Sequence, residues 1–406
     1  MQLVRDHRSN SSVHLDAIRG IAALAVFFGH GRPLFLRSGF SNLVRVPAHA
    51  SISAAHNGAL EARTTVGHEA VIIFFVLSGY FVGGSVLKSM QESSFAWSHY
   101  FLQRLTRLWV VLIPALLLGL AVDTLGMHLF HDALSIYAGP SGSEVLPGLA
   151  HRLTAGCLLG NIFFLQDTFV SYFGTNVALW SLACEFWYYA LFPLLLGLFK
   201  RKNSPTHRLI CGLALLAAVA ISRVHVLEYF PLWLAGCAVA VVPWRLPAAL
   251  QRTAAAIATG ILLVVLLVGL RPNSHLYLAD VAICLAFTTL LWVMVQNRRK
   301  RLNGAYAWCA QGLARISYTL YASHFPLLVF VCAWAAPQWK PQPLSWHTAA
   351  QLGAAYALVF VLSIMLYMLF ERNTVALRRK IEALLGRPTK TLHLARSAPP
   401  LPRSIH

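Results

Sequence analysis

The stretch Leu15-Asp16-Ala17-Ile18-Arg19-Gly20-Ile21-Ala22-Ala23-Leu24-Ala25-Val26-Phe27-Phe28-Gly29-His30 reads as an apolar helix with one arginine near its start and one histidine near its end. Arg19 and His30 are eleven positions apart. At about 3.6 residues per turn they fall about 20° from alignment, on one face and roughly 16 Å apart along the axis. Everything between them suits lipid. Ionisable groups inside a membrane segment are costly, and they turn toward a protein interior or a wet cavity. Alone, Arg19 fits an anchor at the helix end and His30 a satisfied core histidine. As a pair on one face they point to function.

Composition sets the class. Of 406 residues, 57% are hydrophobic and 12% charged, and the mean hydropathy is +0.61. A soluble domain carries about a quarter charged residues. The chain therefore reads as all-α and polytopic, a bundle of about ten spans with short loops and no room for a large soluble domain. The net charge of +19 sits in alternate loops and in the tail, as membrane topology would place it, so no nucleic-acid partner is expected. The histidines show no metal-type spacing, and none of the seven cysteines form Cys-x-x-Cys. Neither a metal site nor a disulfide framework is expected. The first apolar run is flanked by Arg19 and Arg32 without a small-residue cleavage site, so it reads as a retained span.

In order, residues 1–14 form a polar, basic cytoplasmic tail, and 15–372 the transmembrane domain. Spans are expected near 15–36, 69–88, 108–127, 179–199, 208–222, 227–243, 253–270, 276–296, 314–336 and 347–370. Residues 37–68 form a polar loop, and a basic loop carries Lys88, Arg104 and Arg107. The apolar middle of the long loop 128–178, about 153–166, is too short to span and reads as re-entrant or interfacial. Residues 373–406 form a basic, partly disordered tail. With the N-terminus inside, the inner loops hold most of the basic residues, while the short outer loops hold only Arg223, Arg271 and Lys340. That asymmetry puts both termini in the cytoplasm.

Other polar groups lie within or beside the spans. Glu185, in Trp180-Ser181-Leu182-Ala183-Cys184-Glu185, comes early in span four, near the outer face. His324 lies in the middle of span nine, Asp280 near the start of span eight, and His68 and Glu69 at the outer start of span two. A neutral histidine can take a proton from a hydroxyl, and a neighbouring carboxylate can hold its tautomer. Arg104 and Arg107 at helical spacing either present two guanidiniums to a phosphate or simply set topology. A proton relay in a transporter would use similar residues.

Six stretches in order resemble the acyltransferase-3 family of integral-membrane enzymes. They are Leu15-Asp16 with Arg19 and His30; Phe74-Phe75-Val76-Leu77-Ser78-Gly79-Tyr80; Arg104-x-x-Arg107-Leu108; Trp180-Ser181-Leu182-x-x-Glu185 leading to Pro193; Ile316-Ser317-Tyr318-Thr319-Leu320-Tyr321-x-x-His324-x-Pro326; and Phe370-Glu371-Arg372. The resemblance implies transfer of an acyl group, often acetyl, from acyl-CoA to a hydroxyl of a carbohydrate or glycolipid acceptor. The enzyme would lie in the inner cell membrane, with acyl-CoA as co-substrate and no bound cofactor. It implies catalytic roles for His30, Glu185 and His324, donor binding by Arg19, Arg104 and Arg107, and support from Glu69, Ser78, Tyr80, Trp180 and Tyr318. The chain departs where many members read Gly-Val-Asp: it has Val71-Ile72-Ile73, so an acidic role there is lost or shifts to Glu69. The 35-odd residues after span ten cannot hold the esterase-like domain of some members.

On this reading, CoA phosphates dock on the arginines, the pantetheine arm follows the Arg19–His30 face, and His30 acts as general base or forms an acyl-histidine. Ser78 lacks the Gly-x-Ser-x-Gly turn of an exposed nucleophile and is expected to pack or bond locally. Trp180, Trp187, Tyr188 and Tyr189 are expected in an interfacial belt, or as a sugar platform beside Glu185. The rival classes are a transporter or exporter of an acylated or polysaccharide product, and a structural subunit of a polysaccharide machine.

Overall fold

A backbone in lipid must satisfy its own hydrogen bonds, so long apolar runs become helices. A computed structural model describes residues 10–36, 67–132, 134–138, 148–222, 224–269, 276–296 and 304–385. Among them there are only isolated β-bridges and no strand. The principal helices are α1 (Asn10–Phe35), α2 (Gly67–Gln91), α3 (Trp97–Leu129), α4 (Ala155–Ile162), α5 (Trp180–Phe199), α6 (Pro205–Ile221), α7 (Val224–Val241), α8 (Gln251–Gly269), α9 (Leu276–Val295), α10 (Ala305–Ala335), α11 (Trp346–Leu369) and α12 (Thr374–Leu384). The chain folds as an all-α polytopic bundle. Among the described residues, nine helices are long and apolar enough to cross a membrane, and α6, with 17 residues, is shorter.

Several boundaries differ from the sequence reading. Arg104 and Arg107 lie on α3 itself, which starts at Trp97, and not in a loop. The helix outlasts its apolar stretch because its backbone bonds are internal and do not need lipid. The segment about 153–166 holds α4, whose eight residues rise roughly 12 Å and cannot cross a bilayer. In the basic tail, residues 374–384 form α12. Most of the 37–68 loop, Arg223, Arg271 and the basic run 298–301 lie outside the described residues.

The centre of the bundle is α10. In its most apolar window 89% of residues are buried, against 11% for α8 and 17% for α11. Ser317, Thr319, Ser323 and His324 of α10 are all buried. α10 packs most extensively on α1, and next on α11 and α3. A second body forms where α2 meets α7. At Gly79–Gly83 the ladder of α2 widens into one π-helical turn. There a side chain at Gly79 would collide with the backbone carbonyl of Trp233 on α7.

A carbonyl in a packed helix cannot step aside as a flexible side chain can. Gly79→Ala should therefore force α2 off α7 and cost about 1–3 kcal/mol. The expected result is a lower unfolding midpoint in detergent, measured by thermal denaturation. Substitution at Gly260, which has open space around it, serves as the control.

Candidate active site

Proline has no N–H, so Pro326 leaves the carbonyl of Ala322, four residues earlier, without its helical donor. Asn176, from the segment before α5, donates its amide to that carbonyl at 2.8 Å. Asn176 is 1% exposed. It thus closes the gap in the turn that carries His324. Sequence reasoning missed Asn176, although Pro326 inside a span was a signal that some donor must arrive from elsewhere.

His324 is fully buried. Its Nδ1 lies 2.8 Å from the carbonyl oxygen of Tyr321 and 3.0 Å from that of Leu320. Carbonyl oxygens only accept, so Nδ1 carries the proton. In a neutral imidazole Nε2 is then an acceptor, and it lies 2.8 Å from Nδ1 of His30. His30 must donate through Nδ1, which leaves its Nε2 as the bare, basic nitrogen. The rings are parallel within 5° with centroids 5.1 Å apart, the spacing of two imidazoles bonded edge to edge. Phe27 presses an edge on His324 and Phe325 an edge on His30, with ring centroids at 6.1 and 5.3 Å. The two histidines proposed from sequence therefore form one unit, and His324 holds the tautomer of His30.

The arginines gather at the other end of α1. Arg19 donates to the carbonyl of Ala314 at 2.8 Å and lies 3.8 Å from Asp16. Arg104 and Arg107 do not converge as a simple pair. The Arg104 guanidinium lies over the rings of Tyr100 and Tyr189, at 5.6 and 5.8 Å, toward α5. Its Nε is buried without a hydrogen-bond partner. Arg107 turns toward α10, 5.9 Å over the ring of Tyr318 and 3.9 Å from Glu371. Tyr318 is fixed by donating its hydroxyl to the carbonyl of Leu108. Glu371 accepts from the N–H and the hydroxyl of Thr319. Glu371 was not among the sequence-derived site residues, though the Phe-Glu-Arg motif contained it.

Glu185 lies elsewhere than the sequence suggested. It joins neither histidine by a hydrogen bond among the described residues. Its Oε1 accepts from Ser78 at 2.7 Å and Tyr189 at 2.5 Å, and Trp233 donates to Ser78 at 3.1 Å. Ser78 is eleven residues into α2, roughly 16 Å from its start, which puts Glu185 deep in the bundle. Ser78 thus bonds across helices. Tyr80 sits in the π turn, its ring 5.3 Å from that of Phe81.

The aromatic residues of α5 are not a surface belt. Trp187, Tyr188 and Tyr189 are buried, because this part of α5 lies within the bundle core. Trp180 packs on Phe75 and Tyr229 and lies parallel to the ring of His68. His68 faces both carboxylate oxygens of Asp280 at 3.0 Å, and Tyr229 donates to the same carboxylate. Glu69, next to His68 in sequence, is buried. Among the described residues no group of three histidine, cysteine or acidic side chains is placed to hold a metal.

A family model described as an acyltransferase domain matches residues 13–368, and the chain belongs to this acyltransferase-3 family. It is therefore a multi-pass membrane protein of that family. A protein of Haemophilus influenzae described as uncharacterized is 30% identical over 132 residues, 32% of this chain and 49% of that protein. The match thus spans about half the length of that relative. No solved structure matches.

Asn176→Ala should leave the Ala322 carbonyl buried without a donor, at about 1–3 kcal/mol. The expected outcome is a lowered unfolding midpoint with wild-type-like insertion. Asn176→Asp, which cannot donate to the carbonyl when ionised, should fare no better.

Proposed function

We propose that the protein transfers an acyl group, in the simplest case acetyl, from acyl-CoA to a hydroxyl of a carbohydrate or glycolipid. The enzyme sits in the inner cell membrane with both termini in the cytoplasm. CoA phosphates are held by Arg104, Arg107 and Arg19, and the thioester lies at His30. The bare Nε2 of His30 takes the proton of the acceptor hydroxyl. The hydroxyl oxygen bonds to the acyl carbon, the carbon–sulfur bond breaks, and the CoA thiolate leaves with the proton from His30. His324 accepts from His30 Nδ1 throughout and so stabilises the imidazolium that forms in between.

The single observation that carries this reading is the chain of hydrogen bonds from two backbone carbonyls through His324 to His30. It follows the logic of a base oriented by a partner. A buried guanidinium Nε with no acceptor, at Arg104, supports an anion at the other end.

Purified protein in nanodiscs, offered acetyl-CoA and a panel of glycans, should release CoA only when a suitable acceptor is present. His30→Ala should lower the rate about 10²–10⁴-fold. His324→Phe, which removes the acceptor for His30 Nδ1, should lower kcat roughly 10- to 10⁴-fold while leaving acetyl-CoA binding intact. Acetyl-CoA binding without CoA release under any acceptor would favour a transporter. Unchanged release by His30→Ala would remove the base from His30.

A further inference from the structure

Glu185 is an ionisable group within the bundle that the steps above leave unused. Ser181, Glu185 and Tyr189 recur every four residues on α5 and so form one stripe, roughly 12 Å long. At one end the Ser181 hydroxyl meets that of Tyr321 at 2.5 Å, and the Tyr321 ring lies 6.1 Å from that of His324. At the other end the Tyr189 ring carries Arg104. Glu185 lies midway, between the guanidinium and the histidines.

The two carboxylate oxygens differ. Oε1 receives Ser78 and Tyr189. Trp233 donates to the Ser78 oxygen, so the one Ser78 proton points at Glu185. Oε2 receives no hydrogen bond among the described residues, and Glu185 is only half-buried. A half-exposed carboxylate oxygen within the bundle, its sister atom fixed by two donors, can accept from a bound ligand. Arg104 nearby already supplies positive charge, so a neutral N–H suffices.

Resting on acyl-CoA as donor, we propose that Glu185 Oε2 accepts a hydrogen bond from an amide N–H of the pantetheine arm. The arm carries two amides between its phosphate and its sulfur. With phosphate on Arg104 and thioester at His30, the arm would run along this stripe. Glu185 thereby fixes the donor's register and touches no reacting atom. It is a binding residue, in place of the catalytic role that the family resemblance implied.

The test uses full-length protein in nanodiscs with acetyl-CoA and with analogues in which each pantetheine amide in turn is replaced by an ester. Wild type should show a KM about tenfold or more higher for one ester analogue, the loss of one hydrogen bond to a charged group. Glu185→Gln keeps an oxygen for Ser78 and Tyr189 but presents N–H to the arm. It should raise KM for acetyl-CoA by a similar factor, leave kcat and acceptor KM within about threefold, and lose its penalty with that ester analogue. Two results overturn the proposal: wild type that treats both esters like acetyl-CoA, or Glu185→Gln that lowers kcat with KM unchanged. Wild type that neither binds nor turns over acetyl-CoA overturns the donor reading itself, and the proposal with it.

Discussion

The hydrogen bonds of His324 set the terms for the rest of the molecule. A fully buried imidazole among apolar helices is tolerable only if both nitrogens are answered. The carbonyls of Leu320 and Tyr321 answer one, and His30 answers the other. This requires α1 to lie against α10 in one register. It also requires the turn before Pro326 to be held by an outside donor, which Asn176 supplies. Helix packing in lipid has no hydrophobic drive between helices, so such polar contacts and close van der Waals fit carry the specificity.

The polar residues divide the bundle by task. Guanidiniums over aromatic faces and beside Glu371 gather where α1 begins. The histidine pair lies toward the other end of α1. Between them runs one stripe of α5, with Glu185 at its middle. A charge that stands alone at membrane depth is expensive, and here Arg19, Arg104, Arg107 and Glu185 are each paired, bonded or laid on a ring. Arg104 Nε is one of several buried polar atoms among the described residues without a hydrogen-bond partner, with Gln166 Oε1 and Tyr188 Oη.

Much of this was legible in the sequence. Hydropathy located the spans, since the bilayer sets their length, and the apolar window failed only where helices run past it, as with Arg104 and Arg107 on α3. The Arg19 and His30 face was visible from helical periodicity. Which helix His30 would meet was not, because His324 lies 294 residues away and periodicity describes each helix alone. Glu185 was placed too near a surface because depth was counted from its own span, whereas its crossing with Ser78 decides it. Trp187, Tyr188 and Tyr189 suggested a belt because aromatics favour interfaces, and here the packing of α5 into the core overrides that preference. Asn176 and Glu371 carry no periodic signal, and only a proline and a short motif hinted at them.

The same sequence separation has a meaning for how the protein is made. Chains fold from the N-terminus as they are synthesised. α1 enters the membrane with Arg19 and His30 long before α10 exists, so for most of translation His30 lacks His324 and Arg19 lacks the Ala314 carbonyl. The first helix must wait in a protected place, or keep its polar face toward water or the insertion machinery, until the tenth principal helix arrives. Assembly of the histidine pair is thus a late event, and a chain truncated before α10 holds His30 without the side chain that bonds it.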